Sequence, residues 1–157
     1  MTENPEIQIR RAGIADASDV ARLLHDFNTE FSAPTPGVEI LTDRMRELLA
    51  ANELTALLVG EPPYGISVLR FRPSLWAEAL EVYLEELYVA PAQRGHGSGR
   101  ALLEATLETA RSSGAYRIEL GTNETDTAAI ALYQSCGFTN KEDGPDGPTM
   151  LYYERDL

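Results

Sequence analysis

The sequence predicts an α/β fold with a mixed central sheet, in the order β-α-α-β-β-β-α-β-α-β-β. Three observations carry this prediction. Short alternating apolar runs, typical of strands, are separated by longer segments in which apolar residues recur at helical spacing. A glycine-rich loop over residues 93–99 leads from the fourth strand into a helix. That helix connects the fourth strand to the fifth, and a helical crossover joins strands that run parallel.

The first half of the chain supplies one strand, two helices and a strand pair. Residues 7–12 alternate and predict the first strand, and Asp16 is placed to cap the helix that follows. The apolar face of this helix consists of Val20, Leu23, Leu24 and Phe27. Residues 28–37 contain two prolines and break it. The stripe of the second helix consists of Leu41, Met45, Leu48 and Leu49. Residues 54–59 and 64–71 predict two strands joined by a turn.

The fourth strand, residues 80–89, changes phase along its length. Its apolar side chains are Leu80, Val82 and Leu84 on even positions, then Leu87 and Val89 on odd positions. Because side chains alternate between the two faces of a strand, a change of parity requires an extra residue in the ladder. We expect a β-bulge at Glu85–Glu86, and bulges are frequent beside active sites.

The second half continues with a helix, a strand, a helix and two short strands. The helix from about Arg100 ends at Gly114, a residue favoured just beyond a helix. Residues 116–120 predict the fifth strand. Asp126 is placed to cap a helix that ends at Gly137 and carries Ala129, Leu132, Tyr133 and Cys136 on one face. Residues 138–141 and 150–155 predict the last two strands.

The loop between the fourth strand and the next helix predicts an anion site. Gly95, Gly97 and Gly99 leave a run of backbone N–H groups uncovered, and the N–H groups of the first helical turn add to it. Arg94 and Arg100 contribute positive charge, and His96 lies between them. A P-loop requires GxxxxGK[ST] and a dinucleotide site requires GxGxxG/A, and the loop matches neither pattern.

The pattern that fits is R/Q-x-x-G-x-G, written here Arg94-Gly-His-Gly97-Ser98-Gly99 and preceded by LYVAP. In this segment the sequence resembles the GCN5-related N-acetyltransferase (GNAT) family. The resemblance implies that the segment is a bulged fourth strand, the pyrophosphate loop of acyl-coenzyme A and the following helix. It also implies the GNAT fold, with helices on both faces of the sheet and one domain over residues 1–157. Acetyl-CoA is then the cosubstrate.

A second resemblance lies in NETDTAAIALYQSCGF, residues 123–138. The family pattern N-x-x-A-x-x-L-Y-x-x-x-G-F is matched at Ala129, Leu132, Tyr133, Gly137 and Phe138. Asp126 occupies the Asn position, and Asn123 lies three residues earlier. A family Asn at this position contacts the pantetheine arm, so the resemblance implies that Asn123, Asp126 and Ala129 lie near the coenzyme. The charge of Asp126 would be unfavourable beside a phosphate.

Acetyl transfer to an amine requires the acceptor to lose a proton, because an alkylammonium with a pKa near ~10 is not a nucleophile. Glu85 or Glu86 is the candidate base, acting through a water. The resemblance favours Glu85, since related amine acetyltransferases have an acidic residue two positions before the LxV triplet. Alternatively, both are solvent-facing strand charges. The exposed backbone of 87–89 (Leu87, Tyr88, Val89) is expected to pair with the pantetheine amides and the thioester oxygen.

The departing thiolate requires a proton, and Tyr133 is the general acid that the resemblance implies. A tyrosine on a helix face is also a common core residue. Candidate acceptor-binding aromatics are Phe27, Phe31, Trp76 and Tyr83, which are equally compatible with a core role. Cys136 is interpreted as a small core residue. No metal-ligand spacing is present, so no metal is expected.

The amino-acid composition of the chain limits the classes of molecule that it is expected to bind. The chain has 157 residues, with 25 acidic and 13 basic side chains and a formal net charge of −12. Such a charge disfavours nucleic acid and anionic membranes, and it serves either solubility or a cationic substrate. Cys136 is the single cysteine, and no signal peptide or membrane span is recognisable, so a cytoplasmic location is expected.

The resulting hypothesis is an N-acetyltransferase that moves an acetyl group from acetyl-CoA to a small, cationic primary amine by direct transfer in a ternary complex. Polyamines, amino sugars and amino acid derivatives are candidate acceptors. Three alternatives remain: a protein N-terminal or lysyl acetyltransferase, a non-catalytic acyl-CoA-binding regulatory module, and, more distantly, a nucleotide-binding oxidoreductase. The resemblance also suggests a homodimer.

Overall fold

The chain is organised as two compact units, Met1–Leu120 and Gly121–Leu157. The structure is a computed structural model that describes residues 6–157. The first unit contains the sheet and three helices, and the second contains one helix followed by an irregular segment. The expectation of one domain over residues 1–157 stays a prediction.

The first unit is built on a five-stranded mixed sheet in the order β1-β2-β3-β4-β5, as far as the described residues extend. The strands are β1 (Ile9–Arg11), β2 (Thr55–Val59), β3 (Gly65–Pro73), β4 (Leu80–Val89) and β5 (Ala115–Glu119). The first three pairings are antiparallel, and β4 pairs with β5 in parallel. The predicted crossover between the fourth and fifth strands is confirmed.

Four helices follow the predicted order: α1 (Ala17–Glu30), α2 (Val38–Ala50), α3 (Ser98–Ser112) and α4 (Thr127–Ser135). A short 3₁₀ turn, Ile14–Asp16, leads into α1. Asp16 occupies the N-cap position, but its carboxylate accepts hydrogen bonds from Arg10 at 2.8 Å and from the Gly13 N–H at 2.7 Å. The predicted side-chain cap is therefore replaced by an ion pair to β1.

The helices cover both faces of the sheet because β2 and β3 alternate their buried side chains. Ala56 and Leu58 belong to a core cluster that α1 and α2 complete. Leu57 and Val59, which point to the opposite face, pack with Leu102 of α3. All five residues of β2 are buried, as expected for a strand covered on both sides. The prediction of helices on both faces is confirmed.

The predicted bulge lies in β4. Glu86 is paired with Val68 of β3, whereas the next β3 residue, Leu69, is paired with Leu84. Glu85 is therefore the extra residue. Val68 belongs to the cluster beneath α1 and α2, and residues opposite each other in a ladder share a face. The bulge thus directs Glu86 toward the α1–α2 face of the sheet.

Two strands that the sequence predicts in the second unit are not formed there. Residues 138–141 and 150–155 form no strand, and the Lys141–Thr149 bridge is the one antiparallel pairing between them in the described structure. The residues from Glu142 to Pro148 are taken up by turns that contain Gly144 and Gly147. Pro148 has no N–H to return the hydrogen bond that its carbonyl accepts from Glu142, which limits the pairing on the turn side of the bridge.

None of the helices within residues 6–157 has the length and apolar character required to cross a membrane.

Candidate active site

The central feature of the site is a backbone edge of β4 that no strand covers. The parallel ladder to β5 runs from Leu80–Ala115 to Tyr83–Glu119 and goes no further. Residues 85–89 keep β3 on one side, but no described strand pairs with them on the other. The Val89 carbonyl accepts a hydrogen bond from Arg94 Nε, and the other outward N–H and C=O groups are available to a ligand that can pair with a strand.

The glycine loop lies at the carboxyl end of this open edge. Gly95 and Gly97 adopt φ of 81° and 87°, a region that residues with a Cβ rarely enter. Left-handed residues in such a turn bring successive N–H groups together into an anion-binding nest. Helix α3 begins at Ser98, two residues before the predicted start at Arg100, so its first free N–H groups join the nest. The loop and helix therefore bring N–H groups together where the sequence predicts an anion site, and the binding of an anion there stays a prediction.

The hydroxyl of Ser98 helps to fix this helix start. Ser98 is only 3% exposed, and its Oγ lies 3.2 Å from the phenol oxygen of Tyr64, one residue before β3. A hydrogen bond between them ties the N-terminus of α3 to the sheet. The nest is therefore held in position by the core.

The cationic side chains around the loop are engaged with acidic groups. The Arg94 guanidinium donates from Nε to the Val89 carbonyl at 2.9 Å and from Nη2 to Glu30 Oε1 at 2.7 Å. Arg100 forms an ion pair with Glu104 at 3.8 Å. His96 is exposed, with Nδ1 3.4 Å from the Gln93 carbonyl oxygen. The anion site thus consists mainly of backbone N–H groups, and Arg94 is turned toward α1.

The two glutamates at the bulge lie in different surroundings. Glu85 forms an ion pair with Arg70 Nε at 2.9 Å, and its side chain is 34% exposed. Glu86 is half-buried on the α1–α2 face. Burial, followed by the negative charge of Glu85, raises the pKa of Glu86 to about 7. The structure therefore favours Glu86 as the candidate base, contrary to the preference for Glu85 drawn from the resemblance.

A pKa near 7 suits a general base that works at neutral pH. Near neutrality, a substantial fraction of the Glu86 carboxylate is ionised and able to accept a proton. A carboxylate with the ordinary pKa of 4.5 would be a weaker base for removing a proton from an ammonium group. Desolvation at the bulge is the main physical cause of the raised pKa of Glu86.

Two of the predicted acceptor aromatics meet on the face that also carries Glu86. Phe27 stacks on Tyr88 with ring centroids 5.1 Å apart, and Phe31 meets Phe27 edge-on at 5.3 Å. Burial raises the pKa of Tyr88, and the charges of Glu30 and Asp26 raise it further. The end of α1 therefore presents aromatic rings and carboxylates together beside β4.

The other two predicted aromatics lie elsewhere. Trp76 lies in the loop between β3 and β4 and is 84% exposed, so it lines no enclosed pocket in this structure. The loop meets β4 at Leu80, the end opposite the glycine loop. Tyr83 is half-buried within β4, paired with Arg70 on one side and Glu119 on the other. The roles of Trp76 and Tyr83 in acceptor binding stay predictions.

The second unit contains the candidate general acid. Tyr133 lies on α4, and its ring meets that of Phe138 at 5.8 Å. Asp126 caps α4 as predicted, accepting from the Ala129 N–H at 3.2 Å. Asn123 instead closes a tight turn, because its Oδ1 accepts from the Thr125 N–H at 3.0 Å. The helix cap is confirmed.

Sequence reasoning missed two residues of the site, Glu30 and Arg70. Glu30 lies 64 positions before Arg94 in the sequence, so no local pattern signals their contact. Arg70 could have been found from the β3–β4 pairing, but only once the bulge had fixed the register. Among the described residues, no group of three or more His, Cys, Asp or Glu side chains is arranged to hold a metal ion.

Comparisons with known proteins agree with this geometry. The Acetyltransferase (GNAT) family model matches residues 20–138. The chain is 49% identical to a crystal structure described as a candidate acetyltransferase from Arthrobacter sp. FB24, with a TM-score of 0.87 and 96% of each chain covered. It is 27% identical to a Thialysine N-epsilon-acetyltransferase of Bos taurus over 83% of both chains.

A further relative is the Glucosamine 6-phosphate N-acetyltransferase of Trypanosoma brucei brucei, 28% identical over 90% of this chain and 95% of the relative. These relatives are named as N-acetyltransferases, and the family match spans both the glycine loop and the α4 motif. The chain belongs to the GNAT acetyltransferase family and is an acyl-CoA-dependent N-acetyltransferase.

Proposed function

We propose that this enzyme transfers an acetyl group from acetyl-CoA to a small, cationic primary amine, directly and within a ternary complex. The observation that carries the proposal is the open edge of β4, which has Glu86 at its bulge and the glycine loop at its end. A strand-like arm ending in a diphosphate fits such an edge and loop, and an ammonium group fits the carboxylate.

In this proposal the backbone of 87–89 (Leu87, Tyr88, Val89) pairs with the two amides of the pantetheine arm. The loop from Arg94 to Arg100, including Gly95, His96, Gly97, Ser98 and Gly99, holds the pyrophosphate. The resemblance to the family implies that Asn123, Asp126 and Ala129 also lie near the arm. The support is the free hydrogen-bonding capacity of β4 and the nest at the start of α3.

The reaction begins when the acceptor ammonium loses a proton to Glu86 through a water. The free amine attacks the thioester carbonyl carbon, so that a C–N bond forms and the C–S bond breaks. Backbone N–H groups of β4 stabilise the oxygen as it gains charge. The departing thiolate takes a proton from Tyr133. The nitrogen releases its remaining extra proton to water, and Tyr133 is reprotonated from solvent.

The preference for a cationic acceptor rests on charge. The formal net charge is −12, and Asp26, Glu30 and Glu86 lie around the aromatic end of α1. A negative site concentrates cations and speeds their encounter with the enzyme. The same charge opposes nucleic acid and anionic membranes as partners.

We also propose a cytoplasmic homodimer. A reducing compartment suits a sequence that contains one cysteine, Cys136. The dimer rests on the resemblance to the family. Light scattering of the purified protein tests it, with a mass of twice 17.2 kDa expected and the single-chain mass counting against it.

The function is tested by coenzyme A release from acetyl-CoA across a panel of amines. The expected result is release with one class of small amine, reduced by about 100-fold in Glu86→Gln and by at least ~10-fold in Tyr133→Phe. Arg94→Ala should mainly raise the apparent KM for acetyl-CoA. Release with peptide amines alone would overturn the small-amine proposal, and no release with any amine would overturn amine acetylation itself.

A further inference from the structure

Glu30 occupies a position that does not favour a carboxylate. It is the last residue of α1, where the unsatisfied carbonyl groups give the helix end a partial negative charge. A carboxylate at such an end is destabilised unless a cation accompanies it. The Glu30 side chain is only 26% exposed, and the Arg94 guanidinium meets it at 2.7 Å. The surroundings of Glu30 therefore favour a positively charged group beside its carboxylate.

An aromatic wall completes this environment. The Arg94 guanidinium carbon lies 5.7 Å from the centroid of the Tyr88 ring, within the range of a cation–π contact. Phe27 stacks against Tyr88 and supports it. A carboxylate beside an aromatic face is the combination that recognises alkylammonium and guanidinium ligands. In the structure, a cation of the chain itself occupies this position.

The ion pair between Arg94 and Glu30 can be broken at little cost. Its side chain is 44% exposed, and ion pairs this open to solvent contribute little to stability. Arg94 also begins the glycine loop, where a bound diphosphate presents more negative charge than a single carboxylate. Binding of the coenzyme therefore competes with Glu30 for the same guanidinium.

The spacing between Tyr88 and Glu86 sets the separation of the two charged groups on the acceptor. Tyr88 and Glu86 are two residues apart beyond the bulge, so they lie on the same face of β4, about 7 Å apart along the strand. An acceptor whose reacting amine lies at Glu86 can thus reach Glu30 and Tyr88 with a second cationic group. Linear diamines and basic amino acids have this spacing.

Building on the proposed function, we propose that Glu30 and the Tyr88 ring form a subsite for a second positive charge of the acceptor. Arg94 fills this subsite until coenzyme binding draws it to the diphosphate. The acceptor class is thereby narrowed to dications with their charges roughly two strand residues apart. The same exchange makes acceptor binding depend on the coenzyme.

The first test compares 1,5-diaminopentane with pentylamine, which lacks the second charge. Wild type should prefer the diamine by about 10-fold or more in kcat/KM. Glu30→Gln should abolish this preference, because it should lower kcat/KM for the diamine much more than kcat/KM for pentylamine. Glu47→Gln, which removes an exposed charge from α2, is the matched control and should retain the preference. An equal loss with both amines in Glu30→Gln would show a structural role and overturn the proposal.

The second test measures binding without turnover, by calorimetry with 1,5-diaminopentane. Wild type should bind the diamine with coenzyme A present and at least ~10-fold more weakly without it. Arg94→Ala should bind it without coenzyme A, and the double variant Arg94→Ala/Glu30→Gln should not. If wild type bound the diamine equally well with and without coenzyme A, the proposal that the coenzyme draws Arg94 away from Glu30 would be overturned.

The proposed function and the proposed Glu30–Tyr88 subsite can be refuted independently of each other. If no amine is acetylated but diamine binding depends on Glu30 and on coenzyme A, the proposed function fails and the subsite remains. If pentylamine is acetylated as well as the diamine, and Glu30→Gln changes neither the ratio nor the binding, the subsite fails and the function remains.

Discussion

Replacing Glu86 by Gln should make the protein more stable at alkaline pH and much less active. The pKa of Glu86 is raised from 4.5 to about 7, mainly by burial, so the folded protein disfavours the ionised form. This cost is absent below pH 4.5, the ordinary value, grows as the pH rises toward 7, and is complete above it. Gln keeps the size of the side chain and never ionises.

The magnitude follows from the pKa difference. At 1.36 kcal/mol for each pKa unit, the full difference corresponds to ~3 kcal/mol. Because the side chain is only half-buried, solvent screening reduces this, and we expect about 1–2 kcal/mol. Glu86→Gln should therefore raise the free energy of unfolding by this amount at pH 8 and by almost nothing at pH 4.5.

Urea denaturation at the two pH values measures the stability change. The matching kinetic measurement is the pH dependence of kcat/KM, in which wild type should gain activity as Glu86 ionises near pH 7. Glu86→Gln should not show this rise in activity near pH 7, the acidic limb of the profile, and its activity should be about 100-fold lower at pH 8. A variant that is less stable than wild type at pH 8, or that keeps the limb near pH 7, would refute the reasoning.

The remaining predictions concern the neighbours of Glu86 and the loop. Because the charge of Glu85 helps to raise the pKa of Glu86, Glu85→Gln should move the acidic limb of the pH–rate profile to lower pH by less than about 1 unit. Arg70→Ala removes the cation paired with Glu85 and should move the limb the other way; no movement in either variant would disprove the coupling. Gly97→Ala should raise the apparent KM for acetyl-CoA several-fold, because φ of 87° costs a residue with a Cβ about 1–2 kcal/mol. Gly114→Ala, at φ 84° beyond the far end of α3, is the control for backbone strain alone, and an equal KM change there would count against the nest.

The sequence predicted the part of the fold that local patterns control. The alternation of β2 and the helical periodicities of α1 and α2 depend on neighbouring residues, and both patterns matched the observed faces. The bulge was predictable because the apolar side chains of β4 lie on even positions up to Leu84 and on odd positions from Leu87. The pattern did not reveal which glutamate is the extra residue, since that depends on pairing with β3.

Features set by contacts between distant residues were not predictable. The Arg94–Glu30 contact depends on how the end of α1 approaches the glycine loop, so the sequence indicated only that Arg94 adds positive charge to the loop. The alternation in residues 150–155 is typical of a strand, but a strand also requires a partner with free N–H groups. The Lys141–Thr149 bridge is the one pairing described there, and no described strand lies beside residues 150–155.

The most direct test of the account uses acetyl-CoA labelled with ¹³C in the acetyl group, together with 1,5-diaminopentane as acceptor. Proton and carbon NMR of the products distinguish an acetamide from free acetate. The account predicts that the label appears in an acetamide and that Glu86→Gln slows its formation by about 100-fold. Label recovered only as acetate, or an acetamide formed equally fast by Glu86→Gln, would contradict it.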